Sequence, residues 1–205
     1  MVGGDGGSGR SKLKRAREAL ARDGLLLQAD ARLPSVTILV AGEPIRGSWW
    51  GHRAGHAIFA VCEALEDDPD VTGVKLVGGK VTYVHRSLWP ALLGVAAARE
   101  PWQVRGLSRT ARAFLERVDE AGVLRPEGSQ SRPTRELEDR LLVHSASVHT
   151  ESGAHAKELR SWPRWRKDVR MRGRRLAPAR AKAALEEVVA RWERESGARA
   201  RLPWQ

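Results

Sequence analysis

The chain has 205 residues, 41% of them hydrophobic. It can therefore bury one substantial core or two smaller ones, and two domains of about 90 residues fit the usual size range. Its formal charge of +11 and its isoelectric point near 10.9 favour a polyanionic partner, most commonly nucleic acid. Arginine outnumbers lysine 29 to 7, a bias that a GC-rich genome imposes on any protein, so charge alone is a moderate argument.

Cysteine usage and hydropathy exclude several classes of protein. Cys62 is the only cysteine, which excludes an internal disulfide and a cysteine-based zinc site and suits a reducing cytoplasm. No apolar run approaches the roughly 18 residues of a membrane span, and the glycine-rich start has no apolar signal-peptide core. We therefore expect a cytoplasmic protein with no membrane partner and no cofactor.

The first part of the chain, residues 11–100, is predicted to form a winged-helix-like domain behind a disordered tail over residues 1–10. Glycine-rich sequence of this kind cannot recover its ordering entropy by burial. Apolar spacing and stop signals then predict three helices and one short buried strand. In chain order these are a helix over 11–23, a strand over 25–27, a helix from Ser35 to Gly42 and a helix over 49–66.

A β-hairpin is predicted over residues 74–84, where Gly78-Gly79 separates two runs of β-branched residues. Two glycines can adopt the positive φ angles of a two-residue turn between antiparallel strands. The order helix, helix, hairpin is that of a winged helix, which presents one helix and one wing to a nucleic-acid groove. Lys80, next to the turn, is a candidate DNA contact, and residues 87–98 form a connecting helix.

Residues 101–162 repeat this pattern without repeating its letters. Ser108 is a good N-cap for a helix with a one-sided apolar stripe, and Gly122 ends that helix. Residues 125–134 are a loop by composition, and Thr134 caps a short helix. These elements predict a second winged-helix-like domain.

Strands over residues 142–149 and 154–159 form the second wing in this prediction. Residues 163–205 follow as a basic segment and a helix that begins at Pro178, a good first helical residue. The predicted fold class is α+β and mostly helical, with two tandem winged-helix-like units, each with a β-hairpin wing, and a C-terminal helix.

The densest group of polar and aromatic side chains spans residues 47–56, at the start of the predicted recognition helix. His52 and His56 are four residues apart, so on a helix they would share one face, as two metal ligands do. No Glu follows His52 as a base and no third ligand is near in sequence, so we predict no metal site. Two interpretations stay open. Either the two tryptophans of this group pack in the core while the histidines cap or lie at the surface, or His52, Arg53 and His56 contact DNA.

A second polar cluster covers residues 144–155, where serine and histidine alternate with other residues along the second wing. A metal site here would require His149, Glu151 and His155 to converge across the turn. A wing that touches phosphate through its serine and histidine side chains requires less coincidence. We therefore predict that His149 contacts DNA.

The strongest concentration of charge lies between residues 160 and 175, which hold eight basic residues and one acid. Trp162 and Trp165 lie within it, and arginine combined with indole binds backbone phosphate and stacks on bases. The alternative is a solvated basic segment whose tryptophans close the core of the second unit. We favour a nucleic-acid role, with phosphate contacts from Arg164, Arg166 and Arg170.

The triplet Gln28-Ala29-Asp30 stands shortly after the first predicted helix, behind three leucines. In place and surroundings it resembles the Gln-x-Gln or Gln-x-Asp motif of the AlkZ/YcaQ-type crosslink-repair DNA glycosylases, which also contain tandem winged helices. The resemblance covers residues 11–160. It implies that Gln28 and Asp30 position the water that hydrolyses the N-glycosidic bond of an alkylated or crosslinked base. A carboxylate can also deprotonate that water if the pocket raises its pKa.

Three functions are consistent with these patterns. The first is a protein that binds double-stranded DNA at the nucleoid, linked to DNA repair but without catalysis. The second is a glycosylase that uses Gln28 and Asp30. The third is an interaction module that dimerises through an apolar surface on one wing. Burial of the Gln28 and Asp30 side chains, or their hydrogen bonding to backbone, would favour the first.

Overall fold

The computed structural model describes residues 5–127, 130–149 and 155–205. Within them the chain forms two units, each built from helices and a three-stranded antiparallel sheet, followed by a long helix and a short C-terminal tail. This confirms the predicted fold class. No helix in the described ranges is both long and apolar enough to cross a membrane.

The first unit has the element order helix, strand, helix, helix, strand, strand. Its sheet has the strand order β1-β3-β2, so the strand that follows the first helix pairs with the last strand of the hairpin. This is the arrangement of a winged helix. The elements are α1 (Asp5–Asp23), β1 (Leu25–Leu27), α2 (Val36–Ala41), α3 (Gly55–Glu66), β2 (Val71–Lys75) and β3 (Val81–His85).

Helix α1 begins at Asp5, six residues before the predicted start and inside the segment expected to be a disordered tail. The prediction for residues 5–10 was therefore wrong. Adding residues to an existing helix costs much less than nucleating one, so a glycine-rich stretch can extend a helix that its neighbours already form. Residues 1–4 lie outside the described part of the chain.

The third helix differs from its prediction at its start. A single 3₁₀ turn covers Trp49–Gly51, His52 is extended, and α3 begins only at Gly55. The ring of His52 explains the break, because its Nδ1 accepts a hydrogen bond of 3.1 Å from the backbone N–H of Ala54. Such a local bond competes with the helical backbone pattern.

The first wing is a hairpin, as predicted, but its connection is longer than two residues. Lys75 pairs with Val81, so five residues join the strands. Gly78 and Gly79 do adopt positive φ angles of 60° and 68°. Leu76 and Val77 before them are buried in the core, and this burial draws the chain out of the ladder before the turn.

The second unit has the corresponding strand order, β4-β6-β5, but one helix fewer between its first strand and its hairpin within the described residues. Ser108 caps its first helix as predicted, since its Oγ accepts a hydrogen bond from the N–H of Ala111. The predicted turn of the second wing, residues 151–153, lies outside the described ranges. The elements are α6 (Arg109–Ala121), β4 (Val123–Leu124), α7 (Ser131–Asp139), β5 (His144–His149) and β6 (His155–Arg160).

Helix α7 begins at Ser131, so Thr134 lies inside the helix and the prediction that it is the N-cap was wrong. Its side chain is buried, and its hydroxyl has no hydrogen-bond partner among the described residues. Pro133 falls in the first turn, where a helix has no intrahelical use for the missing N–H. Proline therefore does not prevent the earlier start.

Four further helices lie between and after the two sheets. They are α4 (Trp89–Ala96), α5 (Pro101–Val104), α8 (Trp162–Asp168) and α9 (Pro178–Ser196). The predicted helices at 87–98 and from Pro178 correspond to α4 and α9. These two helices pack directly on each other and supply much of the largest hydrophobic cluster.

The two units meet along β2 and β5, where two buried polar contacts cross the boundary. His144 Nε2 lies 2.8 Å from the Thr72 hydroxyl, and its ring packs against Trp162 and Trp165. Glu138, only 5% exposed, accepts hydrogen bonds from Lys157 at 2.6 Å and pairs with Lys75 at 3.1 Å. Lys75 belongs to the first unit, so this carboxylate also joins the units.

The buried position of His144 gives a prediction for acid stability. Burial, and secondarily the charge of Arg160, lowers its pKa from 6.5 to about 3. Between pH 6.5 and 3 this histidine is therefore protonated in the unfolded chain but neutral in the native state. As the pH is lowered through that window, this group alone should reduce the free energy of unfolding by up to about 1.4 kcal/mol per pH unit.

We expect His144→Gln to flatten that pH dependence, measured by urea unfolding at pH 7, 6, 5 and 4. The matched control is His56→Gln, because His56 is exposed on α3, and it should keep the wild-type slope. Equal slopes in wild type and His144→Gln would contradict the assignment.

Candidate functional site

Gln28 and Asp30 lie in the loop that follows β1, beside the base of the first wing. The N–H of Gln28 donates to the carbonyl of Val81 at 2.9 Å and extends the strand pairing by one residue. Its side-chain amide lies 3.4 Å from the hydroxyl of buried Tyr83. Both residues line an open cleft of about 610 Å³, which we call the Gln28 cleft and which also includes Arg46, Trp49 and Lys80.

Both carboxylate oxygens of Asp30 are occupied within the protein. Oδ1 accepts backbone hydrogen bonds from Arg32 and Leu33, each 2.8 Å long. Oδ2 accepts a hydrogen bond of 2.6 Å from Nζ of Lys80. The side chain thus closes its own loop in the manner of an Asx turn and ties it to the wing.

The electrostatics of Asp30 oppose a role as general base. Burial alone would raise the pKa of this carboxyl, but hydrogen bonds from the N–H of Leu33, from Lys80 and from the N–H of Arg32 outweigh it and lower the pKa below its ordinary value. A base needs a pKa raised toward the working pH to take a proton efficiently. The structure holds Asp30 ionised and weakly basic instead.

Of the predicted contacts near α3, His52 and Arg53 are engaged within the protein. Glu43 accepts a hydrogen bond of 2.8 Å from Arg53, and His52 Nε2 lies 3.5 Å from the same carboxylate oxygen. His52 precedes α3, so it shares no helix face with His56. Among the described residues no three His, Cys, Asp or Glu side chains are grouped to hold a metal.

The exposed face of α3 is poorly suited to phosphate. The helix contains no lysine or arginine and carries Glu63 and Glu66. Trp49 is buried as one interpretation proposed, but Trp50 is 65% exposed and stacks on it, with Phe59 alongside. Periodicity could not separate these neighbouring tryptophans, because a short 3₁₀ turn directs one inward and one outward.

Residues of the first wing also bond to other segments of the chain. The N–H of Gly78 at its tip donates 2.7 Å to the carbonyl of Arg201, in the C-terminal tail. Lys80, predicted as a DNA contact, is half-exposed but paired with Asp30. In the second wing His149 is the last residue of β5, and its side chain falls outside what the structure describes.

Seven exposed cations follow the second wing, on α8 and the loop after it. We call them the basic strip: Arg164, Arg166, Lys167, Arg170, Arg172, Arg174 and Arg175. Asp168 pairs with Arg164 at 2.7 Å, and Arg166 donates 2.6 Å to the carbonyl of Gly173. The other side chains, except that of Arg175, make no hydrogen bond or ion pair with any described residue.

Trp162 and Trp165, by contrast, are buried, so neither indole presents a face for base stacking. Their rings pack edge to face 5.4 Å apart, and Trp89 contacts Trp165 from α4. The alternative interpretation is right that both tryptophans lie in a core, but wrong about which one. They belong to the large cluster that contains α4 and α9, not to the core of the second unit. They fix α8 to the protein and leave its basic residues outside.

Arg170 occupies a strained position at the end of α8. Its φ angle is 50°, and the N–H groups of Arg170 and Met171 bond to the carbonyls of Lys167 and Arg166. This is the Schellman pattern, in which the left-handed residue is usually glycine. A side chain there costs about 1 kcal/mol or more, so the fold carries a cation where glycine would be more stable.

A second cleft, of about 660 Å³, lies beside the basic strip, and no pattern in the sequence indicates it. Arg174 and Arg175 line it together with Arg166, but of these three only Arg166 is among the predicted phosphate contacts. The one sequence feature that could have indicated a role for Arg174 and Arg175 is their position shortly before the proline that starts α9. Their approach to α4 depends on the tertiary fold and has no local signature.

No family model, no curated protein and no solved structure matches this chain.

Proposed function

We propose that this chain binds double-stranded DNA through the basic strip and performs no catalysis there. The observation that supports this most is seven exposed cations against one acid within residues 164–175. Only Arg164 of these cations is paired with a carboxylate among the described residues, and clustered cations without such partners attract phosphate and release its counterions on binding. A role in DNA repair rests only on the likeness of Gln28-Ala29-Asp30 to the glycosylase motif.

The way in which the core holds α8 supports the same proposal. Trp162 and Trp165 anchor α8 in the core, so the three cations on this helix, Arg164, Arg166 and Lys167, project from a rigid element and lose little backbone entropy on binding. The recognition helix α3 takes no phosphate in this proposal, because its exposed face is aromatic and acidic. DNA is then held mainly by backbone contacts, which fix position but read no sequence directly.

The first test removes three cations whose side chains make no hydrogen bond or ion pair with any described residue. Replacing Lys167, Arg170 and Arg172 together by Gln should weaken duplex binding about equally across sequences. It should also reduce the slope of log affinity against log salt by about 3, one unit for each phosphate contact. The measurement is fluorescence anisotropy of a labelled duplex at several salt concentrations.

The matched control removes the same charge at the opposite end of α9. Arg194, Arg199 and Arg201 are exposed, and Arg194 lies about 24 Å along the helix from Pro178. Their replacement by Gln should leave the salt slope nearly unchanged. If wild type fails to bind at low salt, or binds independently of salt, the proposal is wrong.

Arg170 allows a test in which stability and binding move in opposite directions. Arg170→Gly should raise the free energy of unfolding by up to about 1 kcal/mol, because relief of the left-handed strain exceeds the added entropy of the unfolded chain. The same change should weaken duplex binding. Arg170→Gln is the control, since it loses the charge and keeps the strain. A stabilised Arg170→Gly that binds DNA as tightly as wild type would exclude Arg170 from the interface.

The glycosylase remains a second candidate because Gln28 and Asp30 both line the Gln28 cleft. An Asp30 held ionised can stabilise positive charge on the sugar as a glycosidic bond breaks, even though it is a weak base. Asp30→Asn should then abolish base release from an alkylated duplex while duplex affinity is retained. Gln28→Ala should cost less activity.

The control for this test is Glu43→Gln, a carboxylate outside the cleft, and thermal melting confirms that each variant is folded. Activity retained in Asp30→Asn would mean that the motif match is accidental. If wild type releases no alkylated or crosslinked base, only the binding function is left.

A further inference from the structure

The cleft beside the basic strip combines an apolar floor with a cationic wall. We call it the Arg174 cleft. Its apolar lining, which we call the floor, includes Leu93 of α4, Ala97 just after α4, and Leu176; its cationic lining, which we call the wall, is Arg166, Arg174 and Arg175. Its volume of about 660 Å³ is within the range of small-molecule sites. No acidic residue of the described ranges lines it.

Two of the three guanidinium groups are already oriented by the fold. Arg166 donates to the carbonyl of Gly173, and Arg175 donates 3.3 Å to the carbonyl of Ala97. Each of these arginines has further N–H donors, since a guanidinium carries five. Arg174 has no hydrogen bond or ion pair with any described residue. The wall thus holds positioned donors that backbone carbonyls only partly satisfy and that no carboxylate of the described residues neutralises.

We infer that the Arg174 cleft binds a single nucleotide unit, with the phosphate on the arginines and the base over the apolar floor. Arginine forks match phosphate oxygens in geometry and charge. The apolar floor fits a flat heterocycle better than a fully hydrated anion, so a phosphate ester with a ring is favoured over free phosphate. The nucleotide comes either from an unpaired end of bound DNA or from the free mononucleotide pool.

This inference deepens the proposed function, because the DNA-end source depends on DNA binding while the free-nucleotide source does not. Isothermal titration should show deoxyadenosine monophosphate binding about tenfold more tightly than inorganic phosphate. Deoxyadenosine without its phosphate should not bind detectably. Arg174→Gln should weaken binding of the monophosphate about tenfold. Arg194→Gln, an exposed arginine outside the cleft near the other end of α9, should leave it unchanged.

A competition experiment separates the two sources. If the ligand is part of DNA, a duplex with one unpaired 5′-phosphorylated nucleotide should bind more tightly than the blunt duplex, and the monophosphate should compete away that gain. If the overhang adds nothing while the monophosphate still binds, the occupant is a free nucleotide.

Three results would overturn the inference: no binding of the monophosphate, equal affinity for monophosphate and inorganic phosphate, or no effect of Arg174→Gln. The failure of blunt-duplex binding alone would instead reject the proposed function and leave the cleft as a nucleotide site.

Discussion

The contact between α4 and α9 is the constraint on which the rest of the structure depends. A Cβ added to Gly94 would lie 2.6 Å from the Cβ of Ala181 and 2.6 Å from the carbonyl oxygen of Leu176. Only glycine permits this approach, and it lets the two helices bury the largest apolar cluster against the first sheet. Because Leu176 also bonds to the carbonyl of Pro90, the same contact fixes the loop that carries the basic strip.

Charge and apolar surface are separated by this arrangement. Tryptophans that alternate with arginines in the sequence face the core, and the arginines face solvent, so one short segment anchors α8 and also presents the charge. Burial of two indoles stabilises the fold by several kcal/mol, at about 1.5–3 kcal/mol for each large side chain. Exposed arginines contribute little to stability. The segment can therefore change its charge without losing its anchor.

Local signals in the sequence identified most elements, because each depends on a few neighbouring residues. Ser35 and Ser108 cap helices, and Gly122 ends one, as their residue types predict. The contacts that decide the candidate site were not accessible in this way. Lys80 reaches Asp30 across 50 residues of sequence, and His144 meets Thr72 across 72. Such partners are set by the packing of whole elements, for which one sequence has no local signature.

Two features of the first unit make its usual functional surfaces unsuitable: the pairing of Asp30 with Lys80 and the composition of α3. A carboxylate used to close its own loop is stabilised as the anion, which weakens it as a base. A recognition helix without cations leaves phosphate to other elements. In a winged-helix-like unit whose helix is aromatic and acidic and whose wing tip is bonded to the C-terminal tail, the usual surface for a DNA groove is occupied or unsuitable. The exposed charge instead follows the second unit, where Arg170 is kept at a position that favours glycine. The proposed contact of Arg170 with phosphate would account for a cation at this position, which fold stability does not.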